Sequence, residues 1–213
     1  MTVIGRLGDD YQRAVDALVN NPSAYFRVAL DERFDTPTNA WPKDPLIVAR
    51  RVEGGYRVTP RVDDEFVAIG APLEESFRDV LVGATFRKLG GPANGVCGLV
   101  LRDRGPTPRD GRNQTGRFYL AQVGGRGEVS IWRREQDLWF ELAPWTHCDA
   151  VHPGEVSNEV SFEIVGGRLT LTVNGQPAAS AHDAILDQGG VGLFVAGGGN
   201  DVLIERFVVH ALG

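Results

Sequence analysis

The chain has almost no lysine, few sulfur residues and no long apolar run. Of its 22 basic residues, only Lys43 and Lys88 are lysine. With formal net charge −6, general nucleic-acid or anionic-membrane binding is not expected. The arginine excess reads first as a coding bias. Its functional reading is planar, bidentate recognition of carboxylate or phosphate. Two cysteines, Cys97 and Cys148, do not make a disulfide framework. Cys97 sits in a strand-like run, so a buried thiol is expected. No window approaches 18 apolar residues, as a spanning helix requires. The opening stretch, MTVIGRLGDDYQRAV, has no apolar h-region or cleavage signal. The expectation is a soluble, cytoplasmic protein with no cofactor. With 213 residues, of which 42% are apolar, the chain can bury roughly 70% of its unfolded surface without a metal or disulfide.

The strongest pattern lies between Asn158 and Gly175, NEVSFEIVGGRLTLTVNG. Val160, Phe162 and Ile164 alternate with Ser161, Glu163 and Val165 before Gly166-Gly167. Leu169, Leu171 and Val173 then alternate with Arg168, Thr170 and Thr172 before Asn174-Gly175. Period two with two-residue turns signals antiparallel hairpins. One apolar and one polar face mean a sheet that covers a core on one side.

Residues 8–20 are the only convincing helix. Asp9 or Asp10 caps it, Tyr11, Ala14, Val15 and Leu18 form one stripe, and Asn20-Asn21-Pro22 stops it. Residues 1–23 are read as a helical extension and 24–213 as one β domain. Strands are expected at 24–34, 46–52, 55–59, 65–70, 78–88, 95–103, 116–123, 127–134, 138–142, 157–165, 168–174, 177–181, 189–196 and 201–210. A single helical turn is expected near Ala184–Leu186. Many short strands at regular spacing predict an all-β sandwich or barrel.

The order of the closing segments resembles the concanavalin A-like lectin/glucanase superfamily, in particular LamG-like and 3-keto-disaccharide hydrolase-like domains. The residues that carry it are LTLTVNGQPAAS, GGVGLFV and VLIERFVV, with ERFDTPTNAW near the start. The resemblance covers roughly residues 28–210. It implies an all-β, two-sheet antiparallel jelly-roll sandwich whose last strand returns to pair near the first. A fold of this kind does not by itself fix a function.

Three clusters are candidate sites. If Phe118, Leu120, Val129, Ile131, Leu138, Phe140 and Leu142 face the core, then Tyr119, Trp132 and Trp139 lie on the outer face beside Arg134 and Glu141. Flat aromatic rings beside Arg and Glu suit a sugar. The resemblance implies glycan binding on the outer face of the concave sheet. The competing reading has these rings covered by loops or by the N-terminal helix. The second cluster is the Arg-rich loop 102–117, where Arg102 and Arg104 are candidate ligands for an anionic group. Asp103, Asp110 and Asn113 in it are weak calcium candidates, since no DxDxDG spacing is present. The third is WTHCDAVH, with His147, Cys148, Asp149 and His152, whose spacing matches no zinc pattern. The string from Glu135 to Glu141 is one residue too long for the ExDxxE of laminarinase-type glycosidases, and RREQD reads as a turn.

The leading expectation is a carbohydrate-binding domain for a small sugar or glycan, monomeric or homo-oligomeric. Alternatives are a hydrolase acting on a disaccharide in its native or 3-keto form, drawing on Glu141, Asp103 or Glu128, and a non-catalytic protein-interaction domain.

Overall fold

The computed structural model describes residues 26–36, 41–42, 49–61, 66–105 and 116–212. The expected helix over 8–20 lies outside them. The described residues form fourteen strands: β1 (Phe26–Glu32), β2 (Ala49–Val52), β3 (Gly55–Val58), β4 (Phe66–Gly70), β5 (Val80–Gly90), β6 (Val96–Asp103), β7 (Arg117–Gly124), β8 (Glu128–Glu135), β9 (Leu138–His147), β10 (Asn158–Val165), β11 (Arg168–Val173), β12 (Gln176–His182), β13 (Gly190–Ala196) and β14 (Asp201–Leu212). Each overlaps an expected strand. The largest difference is β9, which runs on past 142 through Pro144 to His147. Proline is tolerated there because β9 is an edge strand, and its pairing with β8 is irregular on either side of Ile131.

Two antiparallel sheets pack face to face. The larger has eight strands in the order β12-β11-β10-β5-β14-β3-β2, with β1 also paired to β14. β3 takes Val202–Ile204 of β14, and β1 takes Phe207–Leu212. The last strand therefore returns to the first, as a jelly roll requires. The smaller sheet has six strands, β4-β13-β6-β7-β8-β9.

The two expected turns form. Gly166 (φ 59°) leads from β10 into β11, and Asn174 (φ 49°) with Gly175 (φ 77°) leads from β11 into β12. Positive φ at both Asn174 and Gly175 is what a tight primed turn needs. Ala184–Leu186 is not a helical turn. Ile185 N–H donates to Asp183 Oδ1 (2.9 Å) and Leu186 N–H to the Tyr119 hydroxyl (3.0 Å). Side-chain acceptors thus take the donors a helical turn would have used.

The main core fills the space between the sheets. Val80, Val82, Phe86, Phe162, Leu169 and Leu171 come from the larger sheet, and Leu99, Leu101, Tyr119, Ile131 and Leu193 from the smaller. Near the chain's entry, Trp41 packs against Phe34, Tyr56 and Phe207 with ring centroids 5.3–5.4 Å away. The Tyr56 hydroxyl donates to Pro42 O at 2.7 Å, which satisfies a buried polar tip.

Candidate functional site

The outer face of the six-stranded sheet is set by strand register. β7 and β8 pair Leu120 with Trp132, Phe118 with Arg134, and Tyr119 with Arg133. Directly opposed residues share a face, so Phe118 and Leu120 stand with Trp132 and Arg134. Tyr119, Ala121, Val129 and Ile131 point into the main core. The expectation that Phe118 and Leu120 face the core is therefore reversed. Tyr119 leaves the candidate surface: it is fully buried, and its hydroxyl donates to Asp183 Oδ1 at 2.6 Å. That carboxylate also takes the guanidinium of Arg133.

β9 adds the other two residues. Trp139 lies opposite Arg134, and Glu141 opposite Trp132. Trp132, Arg134, Trp139 and Glu141 are thus brought together on one face at the β8–β9 rim. The Arg134 guanidinium sits over Trp139 (4.6 Å to the ring centroid) and over Phe66 (4.9 Å). Trp139 stands edge-on to Phe66, Phe118 and Phe194 at 5.8, 6.0 and 6.3 Å. It remains 37% exposed, whereas Arg134 is 5% exposed. The indole is held by its neighbours and still reaches solvent, which is the condition for stacking on a ligand ring. Trp132 is half-buried, and its indole N–H donates to Ser130 Oγ at 2.9 Å.

Away from this rim the face is closed. Phe66, Ala68, Val100, Phe118, Leu120 and Phe194 form a second apolar cluster, all buried. Among the described residues the sheet is therefore apolar on both sides. The buried polar pair Gln122 and Ser130, with Gln122 Nε2 3.5 Å from Ser130 Oγ, also belongs to this face. Sequence reasoning missed both. The available signal was the near-continuous apolar run of Phe118–Val123, within which one glutamine must find a partner.

The other candidates are placed elsewhere. Arg102 is 2% exposed. It donates to three carbonyls, Arg78 O (2.8 Å), Leu186 O (2.7 Å) and Gly166 O (2.7 Å), and ties the ends of both sheets together. Burial lowers its pKa, which neighbouring Tyr119 and Asp79 partly offset. Arg104 is exposed and pairs with Asp187. Neither arginine belongs to the Trp132 face. Asp103 ends β6 and is buried, while Asp110 and Asn113 lie outside the described residues.

Glu135 closes β8 and pairs with Arg133 (3.0 Å) and Arg117 (3.5 Å). Gln136 (φ 55°) turns the chain, so Glu135 and Glu141 fall on different strands and opposite faces. The string is not a carboxylate pair. His147 meets Asp149 at 3.1 Å, while His152 Nδ1 faces Asn174 at 3.4 Å. Among the described residues, no three His, Cys, Asp or Glu side chains gather closely enough to hold a metal ion. Burial pushes the Cys97 thiol up to about 12. Cys97 is partly exposed and packs against the main core, so it is less buried than its strand-like run leads one to expect.

No protein-family model matches this chain, and no curated protein matches it in sequence. Solved structures match it in fold. A CBM66 carbohydrate-binding module from Bacillus subtilis superposes with a TM-score of 0.62 at 16% identity, over 77% of this chain and 91% of that one. A Bacillus subtilis protein of unknown function with a galectin-like fold gives 0.63 at 14% identity, over 87% and 98%. A Bacillus licheniformis β-glucanase gives 0.60 at 10% identity, over 86% and 98%. The described chain therefore has the concanavalin A-like jelly-roll fold, as the closing segments implied. At these identities the likeness concerns the fold alone.

Proposed function

We propose that this chain is a carbohydrate-binding domain that holds a small sugar or glycan at the β8–β9 rim of the six-stranded sheet. The observation that carries the reading is the register that sets Trp132, Arg134, Trp139 and Glu141 on one face. Trp139 offers a partly exposed aromatic surface to the C–H face of a pyranose. Glu141, exposed on the same face, accepts from sugar hydroxyls, and Arg134 fixes the angle of the indole. A carbohydrate-binding module among the solved neighbours supports sugar recognition in general.

The β-glucanase neighbour brings hydrolysis into view. A retaining or inverting glycosidase needs two facing carboxyls, and here Glu141 shares its face with Trp132 and Arg134 while Glu135 points away. Binding without turnover is the reading the geometry favours.

The test is tryptophan fluorescence titration with a panel of mono- and disaccharides, repeated on Trp139→Ala and Trp132→Ala. A bound sugar should shift the emission saturably. Trp139→Ala should weaken the binding about tenfold, about 1.4 kcal/mol, with a lowered melting midpoint because the indole packs on Phe66, Phe118 and Phe194, and the fold retained by circular dichroism. Undiminished affinity in both variants would remove this face from consideration.

A further inference from the structure

One end of the sandwich holds a buried acceptor with nothing to accept from. Asn200, 1% exposed, stands just before β14. Its Nδ2 donates to Val96 O and to Ala196 O, both at 3.0 Å. Two carbonyls there fix which end of the carboxamide carries the hydrogens. Its Oδ1 is buried and accepts no hydrogen bond. Buried acceptors in folded proteins are almost always matched by a donor. Oδ1 lies against Gly95, where a Cβ would come within 2.5 Å of it. Both residues line a cleft of about 40 Å³, between Phe86, Lys88 and Val202 of the larger sheet and Cys97 and Val123 of the smaller.

The second unmet group in the cleft is a cation. Lys88, one of two lysines in the chain, lies opposite the core residue Val202 and so points between the sheets. It is half-buried. Among the described residues its ammonium makes one hydrogen bond, to Pro92 O, and pairs with no carboxylate. Burial lowers its pKa, as expected of an ammonium short of solvation. Gly125 leaves this ammonium uncovered, since a Cβ there would lie 3.0 Å from Nζ. At roughly 10–15 Å³ for each water-sized group, the cleft has room for about three. A simple anion would answer Lys88 and leave Oδ1 unmet, and a neutral alcohol would do the reverse. A hydroxyl beside a carboxylate meets both demands: the O–H donates to Asn200 Oδ1, and the carboxylate accepts from the ammonium.

We propose that this cleft is a second binding site, separate from the Trp132 face, and that it takes a hydroxycarboxylate, with its hydroxyl on Asn200 Oδ1 and its carboxylate on Lys88. The group can come from a small free hydroxy acid or from a sugar acid whose remaining ring stays outside the cleft. The proposal does not rest on the sugar reading, because the two sites share no residue.

The experiment is an amide NMR titration of the full chain with glycolate and with glucuronate. Acetate, which lacks the hydroxyl, and methyl glucoside, which lacks the charge, are the controls. Saturable shifts are expected at the Gly95 and Gly125 amides and at the Asn200 side-chain NH₂, at least tenfold weaker with either control. A response to glucuronate alone would identify the source as a sugar acid, and an equal response to glycolate would make the hydroxycarboxylate group sufficient. Lys88→Gln should weaken the binding at least tenfold. Trp132→Ala should leave it unchanged, so loss of the sugar face and loss of this cleft are told apart. Acetate binding as tightly as glycolate would overturn the proposal on the unaltered chain, with no variant needed. So would affinity that persists in Lys88→Gln, or a cleft that answers no ligand and shows only a bound water through cross-relaxation to the Asn200 NH₂.

Discussion

The outer faces of the two sheets obey different rules. On the larger sheet, Thr85, Ser161, Glu163, Thr170 and Thr172 stand outside while Phe86, Phe162, Ile164, Leu169 and Leu171 stand inside. On the smaller sheet, the outside carries Phe66, Val100, Phe118, Leu120 and Phe194, buried as thoroughly as the inside. One sheet is a boundary between core and water, and the other is a layer with core on both sides. The functional consequence is local. On the smaller sheet, the outer face meets solvent at the rim where β9 leaves Trp139 and Glu141 exposed.

The sharpest way to break this comparison is to truncate matched rings on the two sides. Phe118→Ala, on the outer cluster, should cost about 3–5 kcal/mol, as Phe162→Ala should in the main core. Chemical denaturation of both variants measures it. A cost under about 1 kcal/mol at Phe118 would mean its face is open and the second cluster is no core.

A smaller effect probes the ion pair where β3 and β14 meet. Burial alone would raise the Asp201 carboxyl, but hydrogen bonds from Arg57 and Thr59 hold it below the usual value. Its contribution to stability is therefore present above pH 3.8, the ordinary value, and is lost as pH falls through the lower folded-state value. Asp201→Asn should cost about 1 kcal/mol at neutral pH and flatten the acid limb of a stability–pH curve. An acid limb unchanged by the substitution would assign that proton uptake to other carboxylates.

The smallest effect is expected on the polar outer face. Thr172→Ala should change stability by less than about 0.5 kcal/mol, beside about 2–5 kcal/mol for its neighbour Leu171→Ala. A large Thr172 effect, read from the same denaturation curves, would show that this face too is covered.

These contrasts explain which parts of the site were legible. The hairpins of β10, β11 and β12 were readable because a one-sided sheet writes its orientation into alternation, and Asn174-Gly175 writes its turn into backbone sterics. The β6, β7 and β13 runs, VCGLVLRD, RFYLAQVG and GVGLFVA, carry no alternation. A strand buried on both faces has no reason to alternate, so assigning Tyr119 to the outside and Phe118 to the core was a choice between equals. Trp132, Arg134, Trp139 and Glu141 do share one face, at the rim where one side of the sheet still meets water.

By itself, the sequence determined the all-β class, fourteen strand positions and the tight turns. Each of these depends on local periodicity or on single-residue backbone preference, whereas the jelly-roll closure was implied by the resemblance of the closing segments. Only the tertiary structure decided which face Tyr119 joins and that Arg102 clamps three carbonyls. Those outcomes depend on cross-strand register and on which loop carbonyls converge at one end of the sandwich, and both are contacts between residues far apart in the chain.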